Sequence, residues 1–203
     1  MKTLLRVVIV LILSISAQAS IGSSPETLVK NTTDQVLGEL KSNREVLLKD
    51  QGKLYALVDK IVLPHFDFER MSRLVLGKYW QRATDEQRSK FIGEFKDLLV
   101  RTYATALFEY TNQRILYKPF RMQEGNKRAV VKTEIELGDA PNVPLNYSLR
   151  QNDGGLWKVY DITIDGISLV TNYRLAYSRT IQTEGLDALI RSLGERNQSL
   201  NAK

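Results

Sequence analysis

The stretch Ala129-Val130-Val131-Lys132-Thr133-Glu134-Ile135-Glu136-Leu137 decides the fold class. Ala129, Val131, Thr133, Ile135 and Leu137 alternate with Lys132, Glu134 and Glu136, a period of two that predicts a strand with one dry and one wet face. Val143, Leu145, Tyr147 and Leu149 alternate in the same way with Asn146, Ser148 and Arg150. Asn152-Asp153-Gly154-Gly155 then reads as a hairpin turn, and Leu156 to Ile164 as the next strand. On the other side, Ile115 to Phe120 reads as a strand that reaches the central one through a turn at Glu124-Gly125-Asn126. Four strands in an antiparallel meander are expected.

The period is helical on both flanks. Ser24-Pro25-Glu26 has the form of an N-cap, a first-turn proline and an early negative charge, ahead of Leu28, Val36, Leu37 and Leu40. A short helix is expected over Leu54 to Ile61, ending before Pro64. Another runs through Phe66, Phe68, Met71, Leu74 and Val75 and stops at Gly77. Thr84-Asp85-Glu86-Gln87 is a capping box, and Phe91, Phe95, Leu98, Leu99, Thr102, Ala106 and Tyr110 trace one face after it. Behind the strands, Leu169, Tyr173, Tyr177 and Ile181 share a helix face, and Leu186, Leu189, Ile190 and Leu193 mark a last helix. Helices, a meander and more helices predict an α+β fold, with the helices on one face of a curved antiparallel sheet.

Composition narrows the function. The 203 residues include no cysteine, which excludes disulfide staples and thiolate metal sites, and 43% hydrophobic content excludes intrinsic disorder. Lys2 and Arg6 precede an apolar run from Val7 to Ile15, and Ala17-Gln18-Ala19 supplies small residues for a signal peptidase. Residues 1–19 are therefore expected to be a cleaved signal peptide, the run being well short of the roughly 20 residues that span a bilayer. Residues 20–203 are expected to form one exported domain, in a bacterial periplasm. Loss of Lys2 and Arg6 lowers the formal charge from +6 to +4. The remaining basic residues are scattered among acidic ones, and export removes nucleic acid as a partner.

Catalytic groups do not converge in the sequence. The one histidine, His65, stands between Pro64 and Phe66 at a helix start, where a turn role competes with that of a general base. Asp161 and Asp165 lie four apart near a strand end; they suit loop capping as well as paired acid–base work. No phosphate-cradling glycine loop occurs, and no histidine–carboxylate cluster has metal-ligand spacing. No catalytic residue, metal or cofactor is expected.

Bulky apolar residues are abundant in both the helices and the strands. Such stripes are ordinary core in most proteins, and a curved sheet beneath a long helix is also a common way to enclose a pocket. The ordered motifs bear on that choice. They are Val62-Leu63-Pro64-His65-Phe66-Asp67-Phe68, Met71-Ser72-Arg73, Leu76-Gly77, Trp80, Thr84 to Phe95, and Leu98-Leu99-Val100-Arg101-Thr102-Tyr103. Near the end come Trp157-Lys158-Val159-Tyr160-Asp161, Asp165-Gly166-Ile167-Ser168-Leu169-Val170 and Asn172-Tyr173-Arg174. With this set the chain resembles the MlaC family of periplasmic phospholipid-binding proteins, also called toluene-tolerance auxiliary proteins.

The resemblance implies a cystatin-like or nuclear-transport-factor-like roll with acyl chains between sheet and helices. It also implies a phospholipid carrier that is not an enzyme. Such a carrier would shuttle between an outer-membrane lipoprotein complex and an inner-membrane ABC transporter with a lipid-binding ring component, keeping the outer membrane asymmetric. A monomer is expected. The competing classes are an exported lipid hydrolase, which would need a nucleophile and a base, and a ligand-free adaptor. The residues expected to face the lipid are Leu76, Phe91, Phe95, Leu98, Leu99 and Tyr103 from the first helical half. Val131, Ile135, Tyr147 and Trp157 are expected from the sheet, and Ile167, Tyr173 and Tyr177 from the tail. Met71, Arg73, Tyr79 and Trp80 are candidates for the mouth or a docking site.

Overall fold

The computed structural model describes residues 23–109, 112–138 and 140–201; the expected signal segment lies outside them. The elements in chain order are α1 (Pro25–Ser42), α2 (Arg44–Lys49), α3 (Gln51–Ile61), α4 (Phe68–Leu76), α5 (Asp85–Tyr103) and α6 (Ala106–Glu109). Strands β1 (Arg114–Tyr117), β2 (Arg128–Leu137), β3 (Ala140–Gln151), β4 (Trp157–Ile164) and β5 (Ile167–Ser168) follow. Helices α7 (Leu169–Glu184) and α8 (Leu186–Asn201) complete the chain. The five strands form one antiparallel meander in the order β1-β2-β3-β4-β5, so the fold is α+β.

Local chemistry sets most of the boundaries. The Ser24 hydroxyl accepts from Thr27 N at 3.1 Å, opening α1. Thr84 and Gln87 form the full capping box of α5, with reciprocal bonds of 3.0 and 3.1 Å. The helix expected from Phe66 starts later. Pro64 lies in a short 3-10 turn, Phe66 is extended and bridges Val159, and the Asp67 carboxylate caps α4 by accepting from Arg70 N at 2.9 Å. The long stripe expected to reach Tyr110 ends at Tyr103, because the chain turns at Ala104 to bury Ala104 and Phe108 against α1 and α3; Tyr110 is outside the described residues.

Strand β5 escapes a pattern search because it has two residues. It pairs with β4 across Asp165-Gly166, whose φ values of 48° and 79° are those of the tight turn that favours this dipeptide. One bulge, between Ser148 and Leu149 on the partner strand, leaves Tyr160 of β4 out of alternation.

Three apolar clusters hold the fold. One joins α4, α5, α7 and α8; a second joins α1, α2, α3 and α6; a third joins the start of α1 to the sheet. Polar ties fix the helices to one another. Buried Asn197 of α8 donates to Glu94 O and Oε2 of α5 at 2.9 and 2.7 Å. Arg174 of α7 donates to Leu74 O of α4 at 2.6 Å. Among the described residues, no helix is long and apolar enough to cross a membrane.

Candidate functional site

Register places the apolar residues of the sheet on one face. Tyr117 is opposite Thr133, which is opposite Leu145, which is opposite Ile164. In the neighbouring rows, Ile115 meets Ile135 and then Val143, and Val131 meets Tyr147 and then Ile162. Ala129, Leu149 and Val159 form the row nearest the β3–β4 hairpin, where Gln151 pairs with Trp157. Sequence reasoning had four of these residues, Val131, Ile135, Tyr147 and Trp157. It put Val143 and Leu145 on the same alternating face as Tyr147 without counting them as lipid-facing, and it did not count Ile115, Ile162 and Ile164 either, although their alternation was the available signal.

This inner face is covered unevenly. Near the hairpin, Leu28 and Val29 of α1, with Phe66 and Phe120, pack on Val131, Leu149, Trp157 and Val159, and Leu149 is fully buried. Toward the other end, Ile115, Val143, Leu145 and Ile164 are only half-buried and belong to none of the three clusters. The single polar side chain in the middle, Thr133, is satisfied: its hydroxyl donates to Leu145 O at 2.6 Å. Two tyrosines stand beside Thr33 of α1. Burial pushes the phenols of Tyr147 and Tyr117 up, and Thr33 pulls both the other way. The Tyr117 hydroxyl is buried on this apolar wall, with the Thr33 side chain as its polar neighbour.

The long helix packs mainly on other helices. Helix α5 packs on α8, α4 and α3, whereas the sheet is met by α1 on β2 and by α4 and α7 on β4. Leu76, Phe91, Phe95, Leu98, Leu99, Tyr103, Tyr173 and Tyr177, expected to face the gap between helices and sheet, pack together in one layer with α4, α5, α7 and α8. The reason is complementarity, since the stripe of α5 is matched by stripes on α4, α7 and α8.

At its centre Phe91 and Phe95 stack at 5.6 Å, Phe95 meets the edge of Tyr173 at 5.2 Å, and Phe91 meets Tyr177 at 6.3 Å. Burial pushes the phenols of Tyr173 and Tyr177 up, and the neighbouring Tyr103 adds to it. Phe66, and Tyr160 from the bulge, carry apolar contact from this layer to the strands. Ile167 joins neither surface, being 60% exposed on β5. Of the mouth candidates, Met71 and Trp80 are core, and the Arg88 guanidinium covers the Trp80 ring at 5.3 Å; Arg73 is exposed and Tyr79 half-buried.

Two open clefts of about 220 and 310 Å³ flank α3, lined by residues such as Tyr55, Leu63 and Val100 in one and Val46, Leu47 and Leu57 in the other. None of the expected lipid-facing residues lines either cleft.

The catalytic candidates have structural employment. Asp161 accepts from Ser168 Oγ at 2.6 Å and from Val170 N at 3.1 Å, which holds the start of α7 against β4. Asp165 occupies the left-handed position of the β4–β5 turn. Burial, then the positive charge of Lys158, pushes His65 below the usual imidazole value. Among the described residues, no three acidic, histidine or cysteine side chains gather as a metal ion requires.

Known proteins share this architecture. The chain is similar to a solved phospholipid-binding protein from Ralstonia solanacearum, in complex with a phospholipid, with a TM-score of 0.81 and 35% identity. That match covers 89% of this chain and all of the other. It is 32% identical over 177 residues to the toluene tolerance protein ttg2D of Pseudomonas putida, covering 87% of this chain and 79% of that protein. It is 29% identical over 171 residues to the intermembrane phospholipid transport system binding protein MlaC of Haemophilus influenzae, covering 83% and 79%. The family model of the MlaC protein matches residues 30–195, from within α1 to within α8. With helices, sheet and their order all inside that match, the chain belongs to the MlaC family.

Proposed function

We propose that this protein is a phospholipid carrier of the periplasm, and that it acts by binding and release rather than by catalysis. The observation that carries the reading is the similarity, over the whole of that chain, to a structure holding a phospholipid. The apolar inner face of the sheet supplies a surface on which acyl chains can lie. Burial of one CH₂ is worth about 0.8 kcal/mol, so an acyl chain carried through water without cover costs on the order of 10 kcal/mol. A wall of Ile115, Ile135, Val143, Leu145, Ile162 and Ile164 removes most of that cost by contact without covalent chemistry.

In this reading, residues 1–19 are a cleaved export signal and residues 20–203 a single lipid-binding domain. Val131, Ile135, Tyr147 and Trp157 contribute to the lipid wall. The aromatic layer of α5 and α7 adjoins the sheet through Phe66 and Tyr160. The carrier runs as a monomer between an outer-membrane lipoprotein complex and an inner-membrane ABC transporter, and direction comes from those partners.

A transfer assay tests the proposal. Donor vesicles carrying a self-quenched fluorescent phospholipid are separated from unlabelled acceptor vesicles by a membrane that passes proteins but not vesicles. Label is expected to appear in the acceptor compartment in proportion to added protein. Transfer no faster than with an equal mass of serum-free buffer protein such as lysozyme would refute the carrier reading.

A further inference from the structure

The outer face of the sheet, turned away from α1, carries an unusual row. Arg128 of β2 lies directly opposite Arg150 of β3, and Arg150 lies directly opposite Lys158 of β4. Like charges at directly opposed positions repel and weaken strand pairing. Arg70 of α4 adds a fourth positive charge: its guanidinium sits over the Tyr160 ring at 5.2 Å. Burial, followed by Arg150, lowers its proton affinity, with Asp67 and Tyr160 acting in the opposite sense and Arg128 reinforcing the fall.

The acidic groups of this face are engaged elsewhere. Glu134 is held by Lys118 at 2.8 Å and accepts from Asn142 at 3.2 Å. Asp161 caps α7 and Asp67 caps α4. Lys158 donates to the carbonyl of Pro64 and keeps its charge unneutralised. The row ends in exposed apolar residues. Val130, two positions along β2 from Arg128, is 48% exposed, and Leu156, two positions ahead of Lys158, is 53% exposed.

We propose that this row is a docking surface for an anionic bilayer, with Arg70, Arg128, Arg150 and Lys158 meeting lipid phosphates while Val130 and Leu156 enter the interface. Positive charge that costs strand pairing is retained where an external anion neutralises it. The exposed apolar side chains flanking the charges suit a lipid interface better than a discrete acidic protein patch. This surface lies on the opposite face of the sheet from the lipid wall, so docking leaves the wall free. The proposal rests on the carrier reading, because a lipid carrier works beside membranes.

The test is sedimentation of the purified protein, expressed as the full 203-residue chain, with phosphatidylglycerol-containing vesicles and with pure phosphatidylcholine vesicles. Arg128→Gln/Arg150→Gln is compared with the unaltered protein, both carrying the same N-terminus. Binding is expected to require phosphatidylglycerol, to fade as salt is raised, and to weaken about thirty-fold in the double variant. Thermal unfolding of the variant is expected at or above that of the parent, since opposed charges are removed. Equal binding of parent and variant, or no binding of the parent to phosphatidylglycerol vesicles at low salt, would overturn the proposal; the latter leaves an acidic protein as the occupant. Phospholipid co-purifying with the variant is measured in parallel. Its loss from parent and variant alike would count against the carrier reading, independently of the vesicle result.

Discussion

Replacing Phe95 by alanine is expected to lower the free energy of unfolding by about 3–5 kcal/mol. Phe95 is fully buried, stacked on Phe91 at 5.6 Å and edge-on to Tyr173 at 5.2 Å. Its ring fills the junction of α5 with α7, and Leu98 and Met71, equally buried, leave little slack for collapse into the hole. Domains of this size are stable by about 5–15 kcal/mol, so the loss takes a large share of the total. Urea titration followed by circular dichroism measures it as a lower midpoint with an unchanged slope. The same experiment separates core from ligand wall. If the α5 layer is structural, the folded fraction of Phe95→Ala still carries lipid. A drop below about 1 kcal/mol, with lipid lost, would place the acyl chains against α5 instead.

The second large effect is expected at Leu145. Leu145→Asp puts a carboxylate on the half-buried part of the inner face, between Thr133 and Ile164. The backbone carbonyl that Thr133 uses stays in place, and the side chain is only half-buried, so the fold is expected to survive with a melting point close to that of the parent. An acyl chain laid over an unpaired carboxylate loses several kcal/mol, which corresponds to a fall of at least about a hundred-fold in affinity. Phospholipid in organic extracts of the variant is expected to drop to background. Leu145→Ala, which removes area without adding charge, is expected to retain part of the lipid. Full lipid retention by a folded Leu145→Asp protein would remove this face as the binding wall.

The contrast between these two residues shows what the sequence can and cannot say. Periodicity identifies an apolar face but not the element that covers it. The Phe91, Phe95, Leu98 stripe is legible residue by residue, yet nothing in it says that α4, α7 and α8 are the elements that pack on it. Capping signals are local, which is why Ser24 and the Thr84–Gln87 box stand where the sequence places them. The alternation on β2 and β3 is equally local and gives the sheet its correct faces.

Register is not local. The bulge beside Ser148 turns Tyr160 toward the helices, and a two-residue β5 leaves Ile167 in solvent. The Arg128–Arg150–Lys158 row is likewise spread over three strands, and it becomes a row only when their pairing is known. Of the two uses the sequence leaves open for Asp161, the structure has the capping one: its carboxylate accepts from Ser168 Oγ and Val170 N at the start of α7.

Native mass spectrometry of the purified protein, with dissociation and identification of whatever it releases, tests the central claim most directly. A phospholipid carrier with an apolar wall on its sheet predicts a dominant species heavier than the polypeptide by the mass of bound phospholipid, in stoichiometric amount, which Leu145→Asp does not carry. A parent protein that flies only at its polypeptide mass, with no phospholipid in its organic extract, would contradict the account.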